Sequence, residues 1–232
     1  AAVKGHAVTL FEKADHLGGQ INIASVPPRK NEILRSVEYY QKVLPTLNVD
    51  IHLNEEVKDI NDYDYALLAI GAHNMEMPIP HKESNIVSSW DVLNGQEVQG
   101  ACVVIGGGLV GAETAEYLAN KGHQVTIVEM MDKIAAGEST TVLPLMMKDF
   151  ADHNVKQLVN TKVDHIENNI VYTANEQIKA DTIINALGSK KNIFDDSSIT
   201  IPHVCVGDCS GERTADIASA IRTAYHAANE ID

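Results

Sequence analysis

Cysteine is scarce in this 232-residue chain: there are three, Cys102, Cys205 and Cys209, and no CxxC. That argues against a disulfide framework and against the paired-thiol centre of a dithiol reductase. It points instead to a reducing compartment, with the cytoplasm as the expected location. Cationic residues are also few. Eighteen Lys and Arg are scattered among 32 Asp and Glu, for a formal net charge of -14, which disfavours a nucleic-acid surface. No window holds 18 or more uninterrupted apolar residues, so no segment reads as a transmembrane helix and no membrane partner is expected. The first residues carry no signal-peptide profile and read as the middle of a domain. The ten histidines are dispersed, with no HxxxH and no carboxylate-paired cluster, so no metal site is expected. The hydrophobic fraction, 44%, is that of a soluble globular protein of one large or two ordinary domains.

What the chain does have is a copy of itself. KGHAVTLFEK at its start returns as KGHQVTIVEM from Lys121, with His6 and His123, and Glu12 and Glu129, 117 residues apart. NVDIHLNEEVKDI (48–60) matches NVKQLVNTKVDHI (154–166) at an offset of 106, and DYALLAIG (64–71) matches DTIINALG (181–188) at 117 again. The changing offset locates two insertions of 11 residues. One lies in copy one around LGGQINIASVPPRKN. The other lies in copy two at NNIVYTANEQ, whose alternation predicts a β-hairpin.

In copy two, CVVIGG is an apolar, β-branched run of the kind a buried parallel strand needs. Leu109 to Lys121 has helical apolar spacing and stops at Gly122, a fitting C-terminal residue. QVTIVE is the next strand. Strand, GGGLVG turn, helix, strand and terminal acid make a βαβ dinucleotide-binding unit. Gly106 makes the turn, Gly108 lets backbone approach a diphosphate, and Gly111 allows close helix–strand packing. The helix N-terminus then favours the anion. Glu129 can accept hydrogen bonds from both hydroxyls of an adenosine ribose and would repel a 2′-phosphate. Met130, Met131 and Asp132 offer no Arg to receive one, so NADH is favoured over NADPH, with only Lys133 arguing the other way. Copy one shows just a helix tail and the strand HAVTLFE; the repeat places its glycine loop before Ala1. The chain is therefore expected to begin inside a helix of a larger protein.

Further motifs carry a family resemblance. FEKADHLGGQINIASVPP (11–28) resembles the stretch after the first strands of the FAD domain in NAD(P)H-dependent flavoprotein reductases. ALLAIGA (66–72) resembles the exit to the nicotinamide domain, INALGSKKN (184–192) the return, and VCVGDCSGERTADIASAIRTAYHAA (204–228) the final flavin motif. Over essentially its whole length the chain is similar to the C-terminal portion of the NADH:flavin oxidoreductase family of bacterial 2,4-dienoyl-CoA reductases, enoate reductases and trimethylamine dehydrogenase. The resemblance implies an FAD site at Glu12, Lys13, Gly18, Gly19, Gln20, Val57, Gly71, Gly207, Asp208 and Ala218. It implies an NAD site at Gly106, Gly108, Leu109, Val110, Gly111, Glu129 and Gly188. Val57 would touch adenine through its backbone, Asp208 the flavin ribityl chain, and amides near Ala218 the flavin pyrimidine edge. The family's first GxGxxG, its iron–sulfur cysteine cluster and its FMN-carrying barrel are not in this sequence; the resemblance places them upstream in the same polypeptide.

The expectation is two Rossmann-like three-layer α/β lobes, of the pyridine nucleotide-disulfide reductase kind. Residues 79–189 form a nicotinamide lobe inserted into a flavin lobe of residues 1–78 and 190–232. NADH would reduce FAD, and electrons would pass through an iron–sulfur centre to FMN. No side chain is required as general acid or base, and none is named as catalytic. Two other readings stay open: a nucleotide-binding module without flavin, and a self-standing NADH-dependent reductase of a small redox protein. VPPRKN (26–31) reads as a Pro-marked turn with an exposed Arg29, before a helix at 32–44. Cys209 reads as a small buried residue, and Met130, Met131, Met146 and Met147 as core or interface fillers.

Overall fold

The computed structural model describes residues 1–57, 59–211 and 216–231. Lys58, in the first NEEVKDI block, and residues 212–215, in the final motif, lie outside them. The chain first forms β1 (Thr9–Glu12), α1 (Gln20–Ala24), α2 (Leu34–Thr46), β2 (Asp50–Leu53), β3 (Ala66–Leu68) and β4 (Ala72–Asn74). Next come β5 (His81–Lys82), β6 (Ile86–Ser88), α3 (Ser89–Leu93), β7 (Cys102–Ile105), α4 (Leu109–Asn120), β8 (Val125–Val128) and α5 (Leu143–Asp152). They are followed by β9 (Lys156–Leu158), β10 (Val163–Glu167), β11 (Ile170–Thr173), β12 (Gln177–Lys179) and β13 (Thr182–Asn185). The last part holds β14 (Ser189–Lys191), β15 (His203–Cys205) and α6 (Ile217–Asn229). None of the described helices is long and apolar enough to cross a membrane.

The contacts divide the chain into two compact units. The first is Ala1–Asn22, Glu32–His73 and the chain from Ser189; the second is Ile23–Asn31 and Asn74–Gly188. The second unit is built on a parallel sheet in the order β6-β13-β7-β8-β9. Its central strands are apolar on both faces because both faces are covered. Cys102 and Val104 of β7 pack with Leu118, Ile127, Met146 and Phe150 beneath the helices. Val103 and Ile105, pointing the other way by strand alternation, pack with Val163, Ile166, Val171 and Ile178. The latter four belong to a second sheet, β12-β11-β10-β5, so the layers are helix, parallel sheet and small sheet. Fully burying one side chain such as Phe150 (0% exposed) stabilises by about 1.5–3 kcal/mol. The small sheet contains the hairpin that NNIVYTANEQ predicts, extended by one strand. Asn168 and Asn169, at φ 51° and 60°, make its first turn, the pair of left-handed residues a two-residue type I′ hairpin requires.

The first unit repeats part of this plan. β1 pairs in parallel with β2 through Thr9↔Asp50, as β8 pairs with β9 through Thr126↔Lys156. Asn48 and Asn154, both at φ 55°, turn the chain after α2 and α5 into those strands. Here the strands are dispersed over three two-stranded sheets, β1-β2, β15-β3 and β14-β4. α2 starts at Leu34 rather than at residue 32, because residues Asn31–Ile33 form a tighter 3₁₀ turn. α4 stops at Asn120, and Gly122 follows at φ 90°.

Candidate functional site

In the second unit the glycine turn sits at the carboxyl end of β7, between β8 on one side and β13 on the other. This is the point of an open parallel sheet where ligands bind. Gly106 has φ 99°, and a Cβ there would lie 2.5 Å from the Ala186 carbonyl oxygen, so both conformation and space require glycine. Its amide donates to Val128 O at 2.9 Å. A Cβ on Gly111 would lie 1.9 Å from Gly106 O; the helix can start against the turn only without a side chain. A Cβ on Gly108 would meet nothing within 4 Å. Gly108 is the N-cap of α4, and no side chain caps this helix. The first-turn amides are thus left for solvent or an anion, with the helix dipole adding to the attraction. Leu109 and Val110, 40% and 41% exposed, flank them.

Glu129 follows β8 and is only 8% exposed. Its Oε2 accepts from the Gly107 amide at 2.6 Å and its Oε1 from the Met131 amide at 2.7 Å. The carboxylate is thereby held rigidly beside the turn. An ionised carboxylate offers about four lone-pair sites, so capacity remains for two hydroxyl donors. Met130 and Met131 are 65% and 60% exposed; unlike the buried Met146, they fill no core. On the β13 side, Gly188 (φ 114°) accepts the Met75 amide at 2.9 Å.

The first unit gathers part of the expected flavin set. Gln20 Nε2 donates to Asp208 Oδ2 at 2.9 Å, and a Cβ on Gly71 would come within 3.1 Å of the same Gln20 nitrogen. Gly18, at φ 114°, would press a Cβ to 2.8 Å from Asn22 Nδ2, whereas at Gly19 a Cβ would meet nothing within 4 Å. Glu12 Oε1 accepts from Ala14 N at 2.9 Å, the counterpart of Glu129 and Met131. The Gly207 amide donates to Thr223 Oγ1 at 2.8 Å, which ties the Gly-Asp turn to α6. α6 differs from α4 in being capped: Asp216 Oδ1 accepts from Ser219 N at 2.7 Å, beside Ala218. Lys13 is exposed, and Val57 is half-buried beyond the end of β2.

Two cysteines are structural. Cys209, 5% exposed, donates its thiol to Leu68 O and Val206 O. Burial and the neighbouring Asp181 push the Cys102 thiol up to about 11, away from thiolate chemistry. A cavity of about 240 Å³ bounded by Cys102, Gln124, Lys156 and Lys179 lies at the opposite end of β7 from the glycine turn and contains none of the expected residues.

One cluster is absent from the sequence reading. Arg29 is no free turn residue: its guanidinium bonds Glu116 and, at 2.8 Å, Asp149, while Lys30 bonds Glu113. Glu113 and Glu116 lie on the turn-following helix α4 with side chains 8% and 1% exposed. Burial raises the pKa of both, and the Lys30 and Arg29 partners oppose that rise. Three charge pairs thus fasten the 23–31 segment to α4. Only the run VPPRK hints at this, because partners about 85 residues away in sequence leave no local pattern.

The chain matches the pyridine nucleotide-disulphide oxidoreductase family over residues 1–203. It is 45% identical over 242 aligned residues to a bilirubin reductase of Mediterraneibacter gnavus (strain CC55_001C), covering 99% of this chain and 38% of that protein. It is 32% identical over 249 residues to a cinnamate reductase of Clostridium sporogenes, covering 100% of this chain and 36% of the relative. The solved structure of a 2-naphthoyl-CoA reductase complex superposes with a TM-score of 0.87 at 25% identity, over 100% of this chain and 37% of that one. The chain therefore spans less than two fifths of the length of each. With its parallel sheets and glycine-turned βαβ unit, the chain belongs to the pyridine nucleotide-disulphide oxidoreductase family, which binds FAD and NAD(P)H.

Proposed function

We propose that this chain is the NADH-to-flavin reductase portion of a larger multi-cofactor flavoprotein. The observation that carries the reading is the uncapped N-terminus of α4, open at Gly108, beside the rigidly held Glu129 carboxylate. α4 would receive the diphosphate of NADH through the amides of Leu109, Val110 and Gly111. Glu129 would hold the adenosine ribose, and Gly188 would let backbone close over the dinucleotide from β13. In the first unit Glu12 would hold the adenosine ribose of FAD, with Gly18, Gly19, Gln20, Gly71, Gly207, Asp208 and Ala218 around the rest. When bound, the cofactors supply the chemistry, a hydride from nicotinamide C4 to flavin N5; the residues named here supply binding and orientation. Electrons would then leave for an upstream FMN and iron–sulfur module of the same polypeptide, which reduces an activated C=C bond or a similar acceptor.

The test is anaerobic bleaching of FAD by NADH, with FAD in excess so that weak binding suffices. The reading expects the chain to bleach the flavin band at least about tenfold faster than NADH and FAD do alone. A chain that binds NADH yet gives no acceleration leaves only the nucleotide-binding module.

A further inference from the structure

Strand for strand, the second unit has one element that the first does not. β3 is the counterpart of β13, and β1 of β8. β15 joins β3 as β6 joins β13: Ala66 N donates to Pro202 O at 3.0 Å where, 117 residues on, Ile183 N donates to Asn85 O at 2.9 Å. β7 lies between β13 and β8 and joins them into one sheet. Among the described residues no strand joins β3 to β1, and the sheet is broken there into β15-β3 and β1-β2.

The facing edges are of the kind that accept a strand. Val8 O and Glu12 O are used by Asp50 N and Glu55 N on the β2 side, at 2.9 and 3.0 Å. By alternation the carbonyls of Ala7, Thr9 and Phe11 face the other way. Their counterparts Gln124 O and Val128 O accept from Cys102 N and Gly106 N, at the two ends of β7. A ring nitrogen agrees: His123 Nδ1 bonds Gly100 O, just before β7, at 3.2 Å. Its counterpart His6 has a buried Nε2 with no partner among the described residues.

The helix faces repeat the pattern. Met146 and Phe150 of α5 are 1% and 0% exposed in the core cluster that contains α4 residues. Tyr40 of α2, the counterpart of Met146, is 53% exposed. α3 follows β6 and buries Val92 and Leu93; α6 follows β15 and leaves Ile217, Ile221 and Tyr225, one stripe spaced by four, 42%, 62% and 67% exposed. In the second unit the element covering both helices is α4.

We infer that the first unit is an acceptor for one further βα element: an apolar parallel strand entering between β3 and β1, a glycine turn, and a helix lying over α2 and the α6 stripe. The partner chemistry is that of Cys102–Asn120. A second copy of this chain does not supply it, because its own β7 and α4 are locked in a core. This inference rests on the flavin reading of the first unit for its consequence: the incoming turn would stand to Glu12 as Gly106–Gly111 stand to Glu129, and would bring the diphosphate-binding amides.

The test grafts a copy of residues 101–117 directly before Ala1, the register the repeat dictates, since Ala1 is the counterpart of Leu118. Hydrogen exchange is measured on residues 7–12 and 66–69, and FAD is measured after desalting. The inference expects exchange in both segments to slow by at least about tenfold with exchange in β7 and β8 unchanged, and FAD to be retained. A second graft, with proline in place of the copied Val104, should leave exchange at the parent level, because proline removes a ladder donor. Unchanged exchange with the first graft, or equal protection by both, overturns the inference. Protection without flavin retention upholds the acceptor surface and removes the flavin reading instead.

Discussion

A methyl group at Gly111 would sit 1.9 Å from Gly106 O, whereas at Gly108 it would meet nothing within 4 Å. The two glycines therefore serve different ends, packing at one and access at the other, and alanine separates them. Gly111→Ala forces the turn and α4 apart and is expected to cost about 3 kcal/mol of stability. Gly108→Ala is expected to stay within about 1 kcal/mol of the parent, the penalty of a poorer N-cap. It should nevertheless weaken NADH binding about tenfold, or about 1.4 kcal/mol, because its methyl occupies the approach to the amides. Chemical denaturation and calorimetry on both variants check this. Parent-like NADH affinity in a folded Gly108→Ala chain would contradict a diphosphate at this turn.

At the scale of elements, α4 carries two carboxylates that its burial makes costly, and the 23–31 segment compensates them. Removing Arg29 leaves Glu116 inside with only acidic company. Arg29→Ala is expected to cost about 2–3 kcal/mol near pH 8, below the range for fully buried pairs because Arg29 is partly exposed. The pH dependence has a definite sign. Burial already raises the Glu116 pKa, and losing Arg29 raises it further. A carboxyl whose folded pKa is raised binds more protons folded than unfolded, so stability falls as pH rises through the window between the ordinary and raised values. The penalty should shrink toward pH 5, where Glu116 can take up a proton. Urea midpoints at the two pH values measure it, and equal penalties would contradict the assignment. This latch was invisible in the sequence, where Arg29 reads as an exposed turn residue. Strand β7, by contrast, was legible from its apolar run, and the NNIVYTANEQ hairpin from alternation and paired asparagines. Local periodicity records which faces are covered; it does not record which distant charge covers a buried one.

At the scale of the molecule, the repeat made the plan readable: registers found around β8 and β9 recur around β1 and β2 because the same sequence blocks build both. The site was legible to the extent that backbone demands it, at Gly106, Gly108 and Gly111. The dual grip of Glu129 on Gly107 and Met131 was not, since a sequence shows an acid at a strand end but not which amides it caps. The exposed Met130 and Met131 likewise read as filler until their surroundings were known. The account stands or falls on whether the second unit takes NADH, and calorimetric titration of the chain with NADH and NADPH, repeated on Glu129→Ala, tests that most directly. The predicted result is one saturable NADH site per chain, at least about tenfold tighter than NADPH, with the ratio narrowed in Glu129→Ala. No saturable binding, or a ratio unmoved by the substitution, would contradict it.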